Sequence, residues 1–328
     1  IGSIENISVK EVTTNDLARV DYDGTVSSLL VEPQRTNLIT YSSDFSQWNN
    51  ARTTDTSNQA TSPDGNNNAT YLEQNSGQTT AGSVYVLSTI SAGTNTLSVF
   101  AKKKEKDFIV LYDTNGDRTY FDLNNGSVGT TQAGVTANIK NYGNGIAFYL
   151  ADNDSAAPIA DSGGIYIWGA SLEQGSYPTS IIPTNGSTVT RVQDQYSKTG
   201  ISSKINSEEG VLFVEMAALS DDLSARRISI NDGSYNNIVE IGYTSGSNEI
   251  KNRVKSGGGT QANMNYTAPS ILSDLKIALK WKVNDFAVWV NGVEVATDTL
   301  GTAPIGLSQI SFDRGDGTQN YFGKVKQL

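Results

Sequence analysis

The chain contains no cysteine and no histidine. Without cysteine, no disulfide can staple the fold and no thiolate can hold a metal. Without histidine, the usual base near neutral pH is missing, and with it the Ser-His-Asp triad and every His-ligated metal site. Any bond-breaking would fall to carboxylates, Tyr, Lys or Arg. Long apolar runs are missing too. None approaches the ~20 residues that cross a bilayer, so membrane insertion is not expected. Apolar stripes at helical spacing are scarce. Positive charge is in short supply: 24 Lys+Arg against 34 Asp+Glu leave −10 over 328 residues. The deficit is uneven, with 10 basic and 19 acidic residues in 1–190 but 14 and 15 in 191–328. An acidic first half repels phosphate backbones, so nucleic acid is not an expected partner. The first residue is Ile1 rather than Met, which points to a fragment or a processed product.

What is present is turn chemistry and alternation. The length allows two domains, each with its own core. Short β-branched and aromatic runs are separated by Gly, Asn and Asp. They predict strands at 70–74, 83–90, 95–103, 108–113, 118–122, 135–142, 145–151 and 164–172. A second series follows at 211–217, 227–230, 238–242, 249–254, 275–282, 285–290, 293–297, 309–313 and 321–328. Asp23-Gly24 and Asn291-Gly292 are hairpin tips. The polar stretch 49–68 reads as loop, with a turn at Pro63-Asp64-Gly65. In 275–282, Leu275, Ile277, Leu279 and Trp281 share one face. In 164–172, Ile165, Ile167, Gly169 and Ser171 are expected on one face and Tyr166, Trp168, Ala170 and Leu172 on the other. The fold class expected is all-β: two tandem β-sandwiches, a jelly-roll and then a concanavalin-A/laminin-G-like one.

The expected division has three parts. Residues 1–12 are the closing strand of a preceding module or an edge strand. Residues 13–190 form the jelly-roll. Residues 191–328 form the second sandwich, truncated at its C-terminus.

Two segments carry a family resemblance. Gly164–Arg191, GIYIWGASLEQGSYPTSIIPTNGSTVTR, resembles the segment that closes a β-sandwich module in tail and other virion proteins of bacteriophages. Ser28–Trp48, SLLVEPQRTNLITYSSDFSQW, resembles the opening of the same module. The second half, with GVLFVEM, the 275–297 strands and YFGKVKQL, is similar to laminin-G and concanavalin-A-like sandwiches. That family continues past such a last strand into a short segment, which is missing here after Leu328. The resemblance implies a phage structural or adhesion protein, with a virion location outside the cell and other virion proteins as partners, but it does not supply a ligand. The strand spacing suits a jelly-roll of the carbohydrate-binding kind, and host surface glycans are the partner expected of its loops. Oligomeric state stays open: phage fibres are often homo-oligomeric trimers, but no heptad repeat is present to enforce one.

Each candidate site competes with a structural reading. The Asp113–Asp117 segment offers oxygen ligands, but an EF-hand is excluded because Arg118 and Asn124 stand where Gly and Glu are needed. Calcium at a sandwich rim is the one cofactor left open. The run Lys102–Lys106 could contact an anionic glycan, and equally serves as a solvated strand end. Arg35 and Asn37 read as internal hydrogen-bonders. Sugar sites use aromatic faces beside polar groups. Trp168, Trp281 and Trp289 lie in alternating strands and are expected in cores. Trp48 is the candidate exposed platform of the four, or else a core cap. Tyr235, Tyr243 and Arg253 lie near loops of the second sandwich and complete the candidate ligand-binding set. Glycoside hydrolysis needs paired carboxylates, and Glu215 has no acidic partner two or five residues on. The expected function is therefore non-enzymatic: a phage tail-fibre or head/tail decoration protein that binds host glycans through sandwich loops. The alternatives are a structural spacer without a ligand, a bacterial surface adhesin and a polysaccharide-degrading enzyme.

Overall fold

The computed structural model describes residues 18–23, 25–78, 82–86, 93–113, 118–131, 146–151, 154 and 162–328. The segments predicted as strands at 1–12 and 135–142, and the 114–117 turn, lie outside them. The described residues are all-β, with no α-helix and two short 3-10 turns, Phe45–Gln47 and Ser202–Lys204. The chain divides into two units, 34–191 and a second composed of 1–33 with 192–328.

The second unit is a sandwich of two seven-stranded antiparallel sheets. One sheet runs in the order Arg19–Asp23, Val26–Val31, Gly323–Gln327, Glu209–Ala217, Leu275–Lys282, Phe286–Val290, Val293–Asp298. The other runs Ser197–Lys198, Gln309–Ser311, Arg226–Asn231, Ile238–Tyr243, Glu249–Ser256, Gly259–Asn263, and Tyr266–Thr267 also pairs with Glu249–Ser256. Alternation drives the assembly. Leu275, Ile277, Leu279 and Trp281 fill the core as their spacing predicts, against Ile228, Val239, Ile241 and Tyr243 from the facing sheet.

One expectation is corrected here. The hairpin Arg19–Val31 does not open the first module. Leu29, Leu30 and Val31 pair with Val325, Lys324 and Gly323, and Val31 is fully buried in the second unit's core. Neither edge of strand Gly323–Gln327 is bare, because Glu209–Ala217 lies on one side and Val26–Val31 on the other. Where the chain leaves and rejoins this unit, Asp194 accepts from the Glu32 amide at 2.8 Å and donates its own amide to the Glu32 carbonyl at 2.9 Å. Arg19 bridges both carboxylates.

The unit 34–191 is also a sandwich. Its six-stranded sheet runs Ser127–Thr131, Arg118–Asp122, Phe108–Asp113, Ile146–Ala151, Ser83–Val86, Asn49–Ala51. Its four-stranded sheet runs Thr53–Ala60, Ala69–Gln74, Gly163–Gln174, Asn95–Lys103. Thr53–Ala60 lies where sequence suggested loop. It is an edge strand, mostly exposed, so no apolar face marks it.

The two landmark segments meet in this unit. The buried Asn37 side chain donates to the carbonyls of Ala170 (3.2 Å) and Ile182 (2.9 Å), and accepts from the amides of Ile39 and Leu172, both at 3.1 Å. Glu173, also buried, accepts from the Ser171 and Thr179 hydroxyls. A bulge between Trp168 and Ser171 centres on Gly169, which has a left-handed backbone at φ 65°. It reverses the expected alternation, so Ile165, Ile167, Ala170 and Leu172 all reach the core.

Candidate functional site

The sequence-predicted residues separate in the structure. Trp48 is no platform. It is 5% exposed, stacks on Phe148 at 5.4 Å, and donates its indole N–H to the Tyr41 carbonyl at 2.9 Å. Its apolar ring is worth more inside, since the one polar atom finds a partner there. Tyr243 is likewise a core residue, 2% exposed and stacked on Tyr321 at 6.0 Å. Burial pushes its hydroxyl well above the ordinary tyrosine value. Neither residue is placed to meet a ligand. Tyr235 and Arg253, by contrast, come together, 5.0 Å from guanidinium carbon to ring centre.

Their meeting follows from strand periodicity. In Arg226–Asn231, Ile228 and Ile230 point into the core, so Arg227, Ser229 and Asn231 line the opposite face. In Ile238–Tyr243 the inward residues are Val239, Ile241 and Tyr243, which leaves Glu240 outward. In Glu249–Ser256, Ile250 and Val254 face in, and Lys251, Arg253 and Lys255 face out. The register sets Glu240 opposite Ser229 on one side and Arg253 on the other. The outward face of this sheet is therefore polar and charged.

The face is also covered. Ser229, Asn231 and Glu240 have no exposed surface. Ser229 donates to the Asp313 carbonyl at 2.8 Å, and Asn231 donates to the Ser229 and Ser311 hydroxyls at 2.9 and 3.1 Å. Glu240 accepts from Arg253 Nε at 2.7 Å and from a second Arg253 nitrogen, while Arg227 Nε lies at 3.6 Å. Over this base stands Tyr235. Lys255 Nζ is 3.5 Å and the Arg314 guanidinium carbon 4.2 Å from its ring centre, in addition to Arg253. Cations gather on a ring face because its quadrupole is negative there.

The electrostatics are strained toward positive. Burial, then repulsion from Arg253 and Arg314, pulls the Lys255 ammonium below its usual value despite Glu240. Burial, then Arg253 and Arg227, does the same to Lys251. Burial also disfavours the Arg227 cation, and Glu240 only partly offsets this. Asp316 is committed to Arg314, with a nitrogen–oxygen distance of 2.6 Å. Sequence reading missed Arg227, Glu240, Lys255 and Arg314. Lys255 was recoverable from its period-two spacing with Arg253, whereas Arg227 and Glu240 are brought in by the register of neighbouring strands and Arg314 reaches the ring from a loop.

A lesser candidate lies in the other unit. Tyr71, Tyr166, Phe100 and Trp168 share the outer face of the four-stranded sheet, with Tyr71–Tyr166 at 5.7 Å and Phe100–Trp168 at 5.5 Å. A hollow of about 280 Å³ there is lined by Pro63, Phe100, Lys102, Tyr166 and Trp168. Trp168 thus leaves the core expected for it, and Trp289 is half-buried on the outward side of its strand. Tyr71 carries a cation as Tyr235 does. Lys104 Nζ sits 3.8 Å from its ring centre, and its hydroxyl donates to Glu105 at 2.8 Å. The Lys102–Lys106 run is largely spent locally, with Lys103 on Asp107 at 2.7 Å and Lys104 on Glu105 at 3.2 Å. Among the described residues, no group of three His, Cys, Asp or Glu gathers to hold a metal ion.

No protein-family model matches the chain, and no curated protein matches its sequence. Among solved structures it is similar to sheep galectin-11 in complex with glycerol, at 9% identity and TM-score 0.26, over 36% of this chain and 86% of that one. It is also similar to domains LG4-5 of the mouse laminin alpha1 chain, at 10% identity and TM-score 0.28, over 99% of this chain and 92% of that one.

Proposed function

We propose that this chain is a non-enzymatic glycan-binding protein of a phage particle, a tail-fibre or decoration component that meets host surface glycans outside the cell. The observation that carries the binding role is the Tyr235 face: an aromatic ring, half-buried, ringed by Arg253, Lys255 and Arg314 on a rigid sheet. Sugar sites set an aromatic edge beside charged donors that take the hydroxyls. The non-enzymatic reading is supported by the commitment of the nearby acids. Glu240 is held by Arg253 and Arg227, and Asp316 by Arg314, so neither is free to shuttle a proton. The phage setting rests on the resemblance of Ser28–Trp48 and Gly164–Arg191. Shallow sites of this kind gain strength when several copies act together. A glycan array probed with the full chain and with Tyr235→Ala tests the reading. Array signals that Tyr235→Ala removes are expected. Signals that survive the substitution would place binding elsewhere, and no signal on any glycan would leave a spacer role.

A further inference from the structure

Resting on that reading, we propose that the Tyr235 face selects anionic sugars, with a carboxylate or sulfate lodged among Arg253, Lys255 and Arg314 at the rim of Tyr235. The ground is the charge imbalance on a chain that is otherwise acidic, with net charge −10. Arg227, Arg253, Lys255 and Arg314 converge here, and Lys251 stands two residues from Arg253 on the same strand face. Among the described residues, Glu240 and Asp316 form ion pairs with them, and Glu249 acts on Lys251 and Arg227 at longer range. Other acids close by are engaged in their own turns. Asp232 accepts from Ser234 and Asn237, Asp313 from the Gly315 amide, and Glu249 from Thr244 and Asn265.

Clustering cations in a partly desolvated place is unfavourable unless something compensates. Here the compensation within the protein is incomplete. Of the polar atoms buried here without a hydrogen-bond partner, Arg227 Nε is the donor that an anion answers, while Glu240 Oε2 is an acceptor and gains nothing from one. Such leftover polar atoms in a native fold ask for a functional reason. An incoming anion supplies the missing counter-charge. Guanidinium groups suit carboxylate and sulfate oxygens because they donate two parallel bonds, and Lys255 adds a point charge. A neutral sugar would leave the imbalance untouched. Extended nucleic acid is disfavoured by the acidity of the whole chain.

The test uses the full chain and four kinds of probe: polygalacturonate for carboxylate, dextran sulfate for sulfate, unmodified dextran for neutral sugar, and poly-glutamate with duplex DNA as non-sugar polyanions. Calorimetry is expected to show binding of one or both anionic polysaccharides. That affinity should fall about tenfold or more between about 50 and about 300 mM salt, because ions are released or screened. Lys255→Gln combined with Arg314→Gln should weaken it at least about thirtyfold at unchanged melting temperature, from two lost charge-assisted contacts. Arg314→Gln alone, on an exposed loop, gives the same direction should the pair fail to fold. Three results would overturn the proposal: equal or better binding of neutral glycans through Tyr235, anionic binding indifferent to both variants, or equally tight binding of poly-glutamate or DNA. The first leaves glycan binding standing and removes only the anionic preference. Absence of binding to every saccharide, array glycans included, removes the glycan reading itself.

Discussion

Asn37 gives the sharpest test of how the inserted unit is held together. Its side chain has no exposed surface and makes four hydrogen bonds, all to main-chain atoms: the carbonyls of Ala170 and Ile182 and the amides of Ile39 and Leu172. Asn37→Ala removes all four at once. At about 1 kcal/mol net for each, the loss is about 4 kcal/mol, and buried main-chain groups left unpaired push it upward. Against a total domain stability of about 5–15 kcal/mol, that is a large share. Urea unfolding followed by tryptophan emission and far-UV circular dichroism reads it. Trp48 and Trp168 report this unit, and Trp281 and Trp289 the other. The transition of unit 34–191 should move to lower urea, while the other stays. Asn37→Asp offers an internal check. It keeps both acceptor roles but turns the two donated bonds into contacts between lone pairs, so at neutral pH it should be at least as harmful as alanine. A cost below about 1 kcal/mol for either variant would refute the claim that Asn37 clamps the two landmark segments, since that is the value of a single bond.

Further outcomes follow from the same geometry. Gly242→Ala would place a Cβ 1.8 Å from the Arg226 carbonyl oxygen, so soluble expression of the full chain should be lost. Trp48→Ala should cost about 3–5 kcal/mol in urea unfolding yet leave glycan-array signals alone, whereas Tyr235→Ala should do the reverse. Deleting residues 1–31 should destabilise the unit that ends at Leu328, because Val31 leaves its core and Gly323–Gln327 loses a partner. A melt unchanged by the deletion would contradict the pairing. Partial burial raises the Asp316 carboxyl, but bonds from Arg314 and Thr318 outweigh this and hold it at about 2, below its ordinary 3.8. A depressed carboxylate stabilises the fold above its unfolded value and ceases to as pH falls through the folded one. The Arg314–Thr318 turn should therefore loosen between about pH 4 and about pH 2, which amide chemical shifts of Thr318 would report. Unmoved shifts across that window would argue against the Arg314–Asp316 contact.

Much of the architecture was legible because strands announce themselves by alternation. Asn95–Lys103, Phe108–Asp113, Arg118–Asp122 and Leu275–Lys282 begin and end where spacing and turn residues put them. Three things were hidden. Thr53–Ala60 sits at a sheet edge with little to bury, so its residues carry no apolar pattern. The bulge at Gly169 adds a residue to one strand, and a period of two cannot survive that. The hairpin Arg19–Val31 shows its own turn but not its partner, since nothing local in a strand names the edge it joins. The candidate site divides the same way. Tyr235 and Arg253 are visible as an aromatic and a cation near loops. Lys255 follows from its spacing with Arg253, but that Glu240 and Arg314 join them depends on register between strands and on a loop some sixty residues from Arg253 in sequence. Trp48 misled because composition alone does not separate an indole that stacks on a core phenylalanine from one that faces water.

The pairing of Leu29 with Val325 sets an order on the making of the protein. As the chain leaves the ribosome, 34–191 is complete long before residue 325 exists, and it can condense alone. The hairpin made earlier must wait, its apolar side without a mate, while residues 32–325 are made. So distant a closure is slow, and an uncovered strand is open to capture by another chain in the meantime. Val20, Tyr22 and Val26 remain on the surface even afterwards. The hazard in production is thus a late-closing sandwich in the unit that holds the hairpin, and slowing translation would prolong the wait rather than relieve it.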